Sequence, residues 1–174
     1  MSKFKELYES DLKRQSGGVS RYLKKFLFLY RKAQTTKNPI LKLYFHIRYK
    51  MVREKRGIEI SDEVKIGKGL FIGHPWNITV NNKAVIGENC NIHKGVLIGR
   101  ENRGKREGAP VIGNCVWIGI NSVIVGKVHI GNDVLIAPNS YVNCDVPDHS
   151  VVFGNPCIIK HRDNATEGYI NNQV

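Results

Sequence analysis

The 174-residue sequence is short of the features that would assign it quickly. It has four cysteines, Cys90, Cys115, Cys144 and Cys157, and no CxxC pair, which argues against a zinc knuckle or a disulfide framework. They read as reduced core residues of a cytoplasmic protein, Cys90 and Cys115 standing where small apolar residues recur. The first fourteen residues, MSKFKELYESDLKR, lack the apolar run of a signal peptide. The longest apolar run nearby, Phe26 to Tyr30, falls far short of the ~20 residues of a membrane span. Acidic residues are scarce, but only locally. Residues 1–57 hold ten Lys and six Arg against four acids, a local charge of 16 − 4 = +12, which is the net charge of the whole chain. Residues 58–174 balance at 11 basic and 11 acidic. The basic third favours phosphates, an anionic membrane surface or nucleic acid, or is simply a solvated helical face. No nucleic-acid motif accompanies the charge, so a polyanion-binding scaffold ranks behind an enzyme.

What is present divides by period. In residues 19–33 apolar groups fall at Val19, Tyr22, Leu23, Phe26, Leu27 and Tyr30, at helical spacing. Gly17-Gly18 ends whatever precedes it. A second helix starts with Asn38 as cap and Pro39 in its first turn. Its stripe is Ile40, Leu43, Tyr44, Ile47 and Met51, with Lys42, Arg48 and Arg53 on other faces. Core packing is the expected use of that stripe, because a repeat array needs a terminal cap; contact with a membrane surface is the alternative.

From Ile60 the period becomes six: Ile60, Ile66, Ile72; then Val80, Ile86, Ile92, Ile98; then Ile112, Ile118, Ile124, Ile130, Ile136, Val142. A second inward series follows four residues behind most of them, including Val64, Leu70, Ala84, Cys90, Val96, Val116 and Ser122. Branched inward residues with Gly and Asn at corners describe short strands joined by tight turns. Three hexads close a triangular coil of about 18 residues, and coils stack as a parallel β-helix. Two interruptions mark where function should lie, since insertions in a stack survive as loops. One is a two-residue slip within GLFIGHPWNITV, Gly69–Val80; the other is GRENRGKREGAP, Gly99–Pro110.

The stretches GIEI, GLFIGH and VPDHSVVFGNPCIIK resemble the hexapeptide-repeat acyltransferases, in particular serine acetyltransferases and related polysaccharide O-acetyltransferases. The likeness covers about Gly57 to Arg162. It implies a mainly β fold, a left-handed parallel β-helix over 57–162, an N-terminal α-helical segment over 1–56 and a tail over 163–174. It also implies acetyl-CoA as donor and a homotrimer with active sites between subunits. Glu59 and His74 match the family's catalytic carboxylate and histidine. Gly119, Ile120, Asn121, Ala137 and Pro138 would line the pantetheine arm, with Lys160, and Arg162 beside it, at the phosphates.

The chemistry agrees with that match. A hydroxyl must lose its proton as it attacks a thioester, and an imidazole, with a pKa of ~6.5, can take it. A carboxylate on the other ring nitrogen would fix the tautomer. Asn77, His93, Lys94, Arg103 and Arg106 are candidate acceptor contacts. No metal is expected: His74 and His93 lie about one coil apart, but His129 and His149 do not supply the third ligand a catalytic zinc needs. The family's Arg-His before the proline of the next coil is here Gly108-Ala109-Pro110. This departure favours a saccharide hydroxyl as acceptor, with serine as the alternative, and would set the basic helices beside a phosphate-rich carrier at the inner membrane face.

Overall fold

The computed structural model describes residues 2–15 and 18–174. Gly17, part of the expected Gly17-Gly18 break, lies outside them. Three helices precede the repeat: α1 (Lys3–Arg14), α2 (Arg21–Thr35) and α3 (Pro39–Glu54). Each begins at a side-chain cap. Ser2 accepts from the Lys5 N–H, Ser20 from Leu23, and Asn38 from Ile40 and Leu41, with Pro39 in the first turn of α3 as the sequence indicates.

The repeat winds into five coils. The first comprises β1 (Glu59–Ile60), β2 (Lys65–Ile66) and β3 (Phe71–Gly73). The second is β4 (Thr79–Val80), β5 (Val85–Ile86) and β6 (Asn91–His93). The third is β7 (Leu97–Gly99), β8 (Val111–Ile112) and β9 (Val116–Ile118). The fourth is β10 (Val123–Val125), β11 (His129–Ile130) and β12 (Val134–Ile136). The fifth has β13 (Tyr141–Val142), a single bridge at Val146, and β14 (Ser150–Phe153), on which β15 (Ile158–His161) folds back antiparallel.

Three parallel faces result: β1-β4-β7-β10-β13, β2-β5-β8-β11 and β3-β6-β9-β12-β14, here the first, second and third faces. The hexad residues stack in register, Ile60 on Val80, Ile98, Ile124 and Val142 along the first face. Every isoleucine and valine of the six-residue series is buried, as are the followers from Val64 to Ser140. Each strand thus contributes a β-branched side chain to a narrow core in which, at about 25 cal/mol per Å² of buried apolar area, the stack finds its main stabilisation.

A parallel stack leaves unpaired backbone groups at its open end, and the helices satisfy them. Around the first coil, Tyr49 and Arg53 donate to Ile60 O, Tyr30 and Gln34 to Val64 O, and Arg31 to Ile66 O and Gly67 O. Arg14 donates to Gly69 O and Gln15 to Leu70 O, and Asp11 accepts the Leu70 N–H. Asp11 and Arg31, both fully buried, form a two-pronged ion pair at 2.7 and 3.0 Å. The apolar face of α2 (Leu23, Phe26, Leu27, Tyr30) joins the coil residues in one core.

Two expectations are corrected. The α3 stripe does not pack: Ile40, Leu43, Tyr44, Ile47 and Met51 are exposed, and the helix is held by its other side through Tyr49, Val52 and Phe45. The side that carries two aromatic rings and a hydroxyl able to cap Ile60 O wins the core. Among the cysteines only Cys90 is a core residue, its thiol pushed up to about 12 by burial. Cys115 occupies a left-handed corner position, half-buried, and Cys144 and Cys157 lie near the surface with their sulfurs 3.7 Å apart. The C-terminal residues fold back on the stack, where Asn89 bonds to both the N–H and the carbonyl of Val174 and Tyr169 packs on Trp117.

Candidate active site

Most of the candidate residues, though not Arg103, Arg106, Lys160 or Arg162, lie along one edge of the prism, where the chain turns from the third face to the first. Each coil sends a corner segment there, and backbone hydrogen bonds tie one segment to the next. Asn77 N–H donates to Arg56 O (2.8 Å), Gly95 to Trp76 O (3.1 Å), Asn121 to Lys94 O (3.1 Å) and Asn139 to Ile120 O (2.9 Å). Down this column lie Arg56 to Glu59, His74 to Asn77, His93-Lys94, Gly119 to Asn121, and Ala137-Pro138.

The two-residue slip sits at the top of the column. After Gly73 the chain leaves the wall, and His74 and Asn77 take left-handed conformations with φ of 55° and 50°. Histidine and asparagine tolerate this region better than most residues. His74 is exposed, and its carbonyl accepts the Trp76 N–H at 2.8 Å. The imidazole thus lies outside the packed wall, as does Lys94 at the matching corner of the next coil.

Glu59 lies on the same edge one coil above, exposed and paired with Thr79 across the β1-β4 ladder. Among the described residues it makes no ion pair or hydrogen bond with His74; spacing alone does not carry a side-chain contact across an insertion. The neighbour of His74 is His93. The His93 Nδ1–H donates to Ile118 O at 2.9 Å, since a carbonyl can only accept, and this leaves Nε2 as the unprotonated nitrogen of the neutral ring. Nε2 sits against Gly73, where a Cβ would lie 2.7 Å from it, so only glycine fits. Burial holds His93 below its usual pKa, and a positive charge on His74 lowers it further.

The sign of this shift gives a stability prediction. A folded-state pKa below the unfolded value of about 6.5 stabilises the fold above that pH, and the gain is lost as pH falls through the folded value. Urea midpoints of the wild type should fall between about pH 7.5 and about pH 5, and His93→Gln should show a shallower fall.

The donor-side candidates stack tightly. Gly119 lies against the next corner, where a Cβ would sit 2.6 Å from Pro138 N, and Gly119 N–H donates to Ile136 O. Asn121 holds a left-handed corner. Lys160 projects from β15 opposite Val151, its ammonium 6.0 Å from the Phe153 ring, at the lower end of the third face. Arg162 belongs to the opposite edge, its N–H donating to His149 O.

Arg103 and Arg106 stand elsewhere. Their loop joins β7 to β8, from the first face to the second, so within one chain it occupies a different edge from His74. Arg106 is held by Glu101 through two bonds of 2.9 and 3.1 Å.

Sequence reading missed one feature. The Arg56 guanidinium lies against two aromatic rings, 3.9 Å from the Tyr22 centroid and 4.9 Å from that of Trp76. Arg56 and Trp76, with His74, Pro75, Gln15 and Ser20, line a cavity of about 390 Å³. No carboxylate pairs with Arg56 among the described residues. The position of Arg56 directly before GIEI, and of Trp76 inside the slip, were the available signals. A larger cavity of about 710 Å³ lies under α1, lined by Lys3, Lys42, Lys65 and Lys68 against Glu6, Asp62, Glu63 and Glu88. Neither His74 nor His93 lines it, and its mixed charges are largely self-compensating. No cluster of three or more metal-ligating side chains occurs among the described residues.

Comparison with known proteins agrees with this geometry. Residues 109–144 match the bacterial transferase hexapeptide (six repeats) family. A serine acetyltransferase of Staphylococcus aureus is 39% identical over 114 residues, covering 64% of this chain and 53% of its own length. One from Helicobacter pylori is 36% identical over 98 residues, covering 56% and 57%. The chain thus spans about half the length of the curated relatives it matches. Among solved structures, soybean serine acetyltransferase apoenzyme superposes with a TM-score of 0.74 at 26% identity, covering 90% of this chain and 69% of that one. Neisseria gonorrhoeae serine acetyltransferase in complex with serine gives 0.70 at 26% identity, with the same coverage. By its repeat, its coiled architecture and its likeness to these relatives, the chain has the fold of a left-handed parallel β-helix and is similar to the bacterial transferase hexapeptide (six repeats) proteins over residues 109–144.

Proposed function

We propose that the protein transfers an acetyl group from acetyl-CoA to an acceptor hydroxyl, with His74 as general base. The observation that carries this reading is the exposed His74 at the head of the edge that also holds Gly119 and Ala137-Pro138. His74 takes the hydroxyl proton as the oxygen attacks the thioester carbonyl. The C–O bond forms, the C–S bond breaks, and the imidazolium returns its proton to the leaving thiolate of CoA. Glu59, on the same edge, would be the carboxylate that orients His74. Lys160 would meet the CoA phosphates as a point charge.

Serine is the acceptor that the names of the relatives favour. Arg56, placed against the Tyr22 and Trp76 rings, would bind its carboxylate in place of the Arg-His pair missing at Gly108-Ala109. Arg56→Met should then raise the KM for the acceptor roughly 10–100-fold while the KM for acetyl-CoA stays put, because a charge-assisted contact made in both ground and transition states is lost. A saccharide hydroxyl is the second reading. The same missing pair favours it, together with the half-exposed Trp76, whose face could carry a sugar ring.

Arg103 and Arg106 contribute to either acceptor only from a neighbouring copy, across a three-fold assembly that brings one protomer's loop edge to the next protomer's His74 edge. The test of function is CoA release from acetyl-CoA with serine, simple sugars and glycan precursors, with product masses. Release above the hydrolysis background for some acceptor supports acetyl transfer; background rates with all of them refute it.

A further inference from the structure

α3 is apolar on two opposite sides. One side, Phe45, Tyr49 and Val52, is packed. The other presents Ile40, Leu43, Tyr44, Ile47 and Met51 at steps of 3, 1, 3 and 4, a single stripe, with exposures between 48% and 78%. Leu41 adds a sixth exposed apolar side chain at its border. A helix apolar on both sides is normally covered on both. No element among the described residues covers this one.

The charges around the stripe discriminate between occupants. Lys50 borders it on one side and Arg48 and Lys55 on the other, and Lys37 and Lys42 are also exposed. Glu54 is the single acid of the helix. The neighbouring α2 adds exposed Arg21, Lys24 and Lys25. A second copy meeting this face would bring like charges together. An anionic bilayer offers an apolar layer under a negative surface, which matches both parts of the pattern. The helix is about 24 Å long at 1.5 Å per residue, enough to lie in the headgroup plane. No helix among the described residues is long and apolar enough to cross a membrane.

We infer that α3 is a membrane-surface docking face, binding anionic phospholipid bilayers through its exposed stripe with the flanking lysines and arginines at the phosphates. The inference stands apart from the acetyl-transfer reading and does not need it. It places the bilayer near the candidate site, because Arg56 follows the end of α3 by two residues.

Co-sedimentation of the full chain tests it. One set of vesicles is phosphatidylcholine alone; the other is phosphatidylcholine and phosphatidylglycerol in equal amounts. The protein should pellet with the second set, lose roughly tenfold or more of that affinity in Leu43→Glu/Ile47→Glu, and be released by high salt. Both positions are solvent-exposed, so the variant should keep its circular dichroism spectrum and melting temperature. A second variant, Arg48→Gln/Lys50→Gln, isolates the charges and should weaken binding to the anionic vesicles. Equal pelleting with both vesicle sets, or none, overturns the inference. So does a large assembly in solution that Leu43→Glu/Ile47→Glu dissolves without any vesicle binding, since the occupant is then a second copy.

Discussion

If His74 is the base of the proposed acetyl transfer, replacing it by asparagine should lower that transfer about 10²–10⁴-fold and leave the protein folded. The two halves of this expectation have separate grounds. The imidazole is exposed and packs into no core, so its loss creates no cavity. Its backbone is left-handed, however, and alanine there adds strain of order 1–2 kcal/mol. Asparagine tolerates that conformation and cannot act as a base, so it separates chemistry from strain. CoA release measured under saturating acetyl-CoA, beside melting curves of both proteins, checks the result. Retained turnover would pass the role of base to His93, whose Nε2 is unprotonated and lies against Gly73.

The second large effect concerns stability. Asp11→Ala should cost about 3–5 kcal/mol, because it strands the Arg31 guanidinium in a fully buried site and frees the Leu70 N–H. For a chain of this size, at about 2–4 °C per kcal/mol, the melting temperature should fall by roughly 6–20 °C. Arg31→Met should cost a similar amount, since Ile66 O and Gly67 O then lose their donor. Asp11→Ala/Arg31→Met should cost less than the sum of the two single changes, because no lone charge remains buried. Thermal melts of the four proteins form a double-mutant cycle, and strict additivity would deny the pair its role at the open end of the stack.

Why the repeat was readable and other parts were not follows from the physics of each. A β-branched residue every sixth position has one use in a triangular coil, so Ile60 through Val142 announced their own burial. Cap chemistry did the same for Asn38-Pro39. The α3 stripe was different. Periodicity reveals that a helix has an apolar side, but not which of two apolar sides the fold covers, and the inner side is marked by Tyr49 and Val52. The closure of the stack was unreadable for a related reason: Asp11, Arg14 and Arg31 look like ordinary charges of a basic segment until they meet the carbonyls of the first coil. The position of the 99–110 loop was legible in principle. Counting hexads by threes places it after a first-face strand, whereas the His74 slip follows a third-face strand, so the two interruptions belong to different edges. Whether Glu59 and His74 touch was beyond such counting, because the register of Ile72 on Ile92 fixes the backbone but not the side chains at the corner.

The structure of the protein with CoA bound tests the central claim most directly. The pantetheine arm should run along Gly119 and Ala137-Pro138, with its sulfur beside a His74 imidazole and its phosphates toward Lys160. CoA seated instead in the lysine-lined cavity under α1, with the edge that bears His74 unoccupied, would contradict the account.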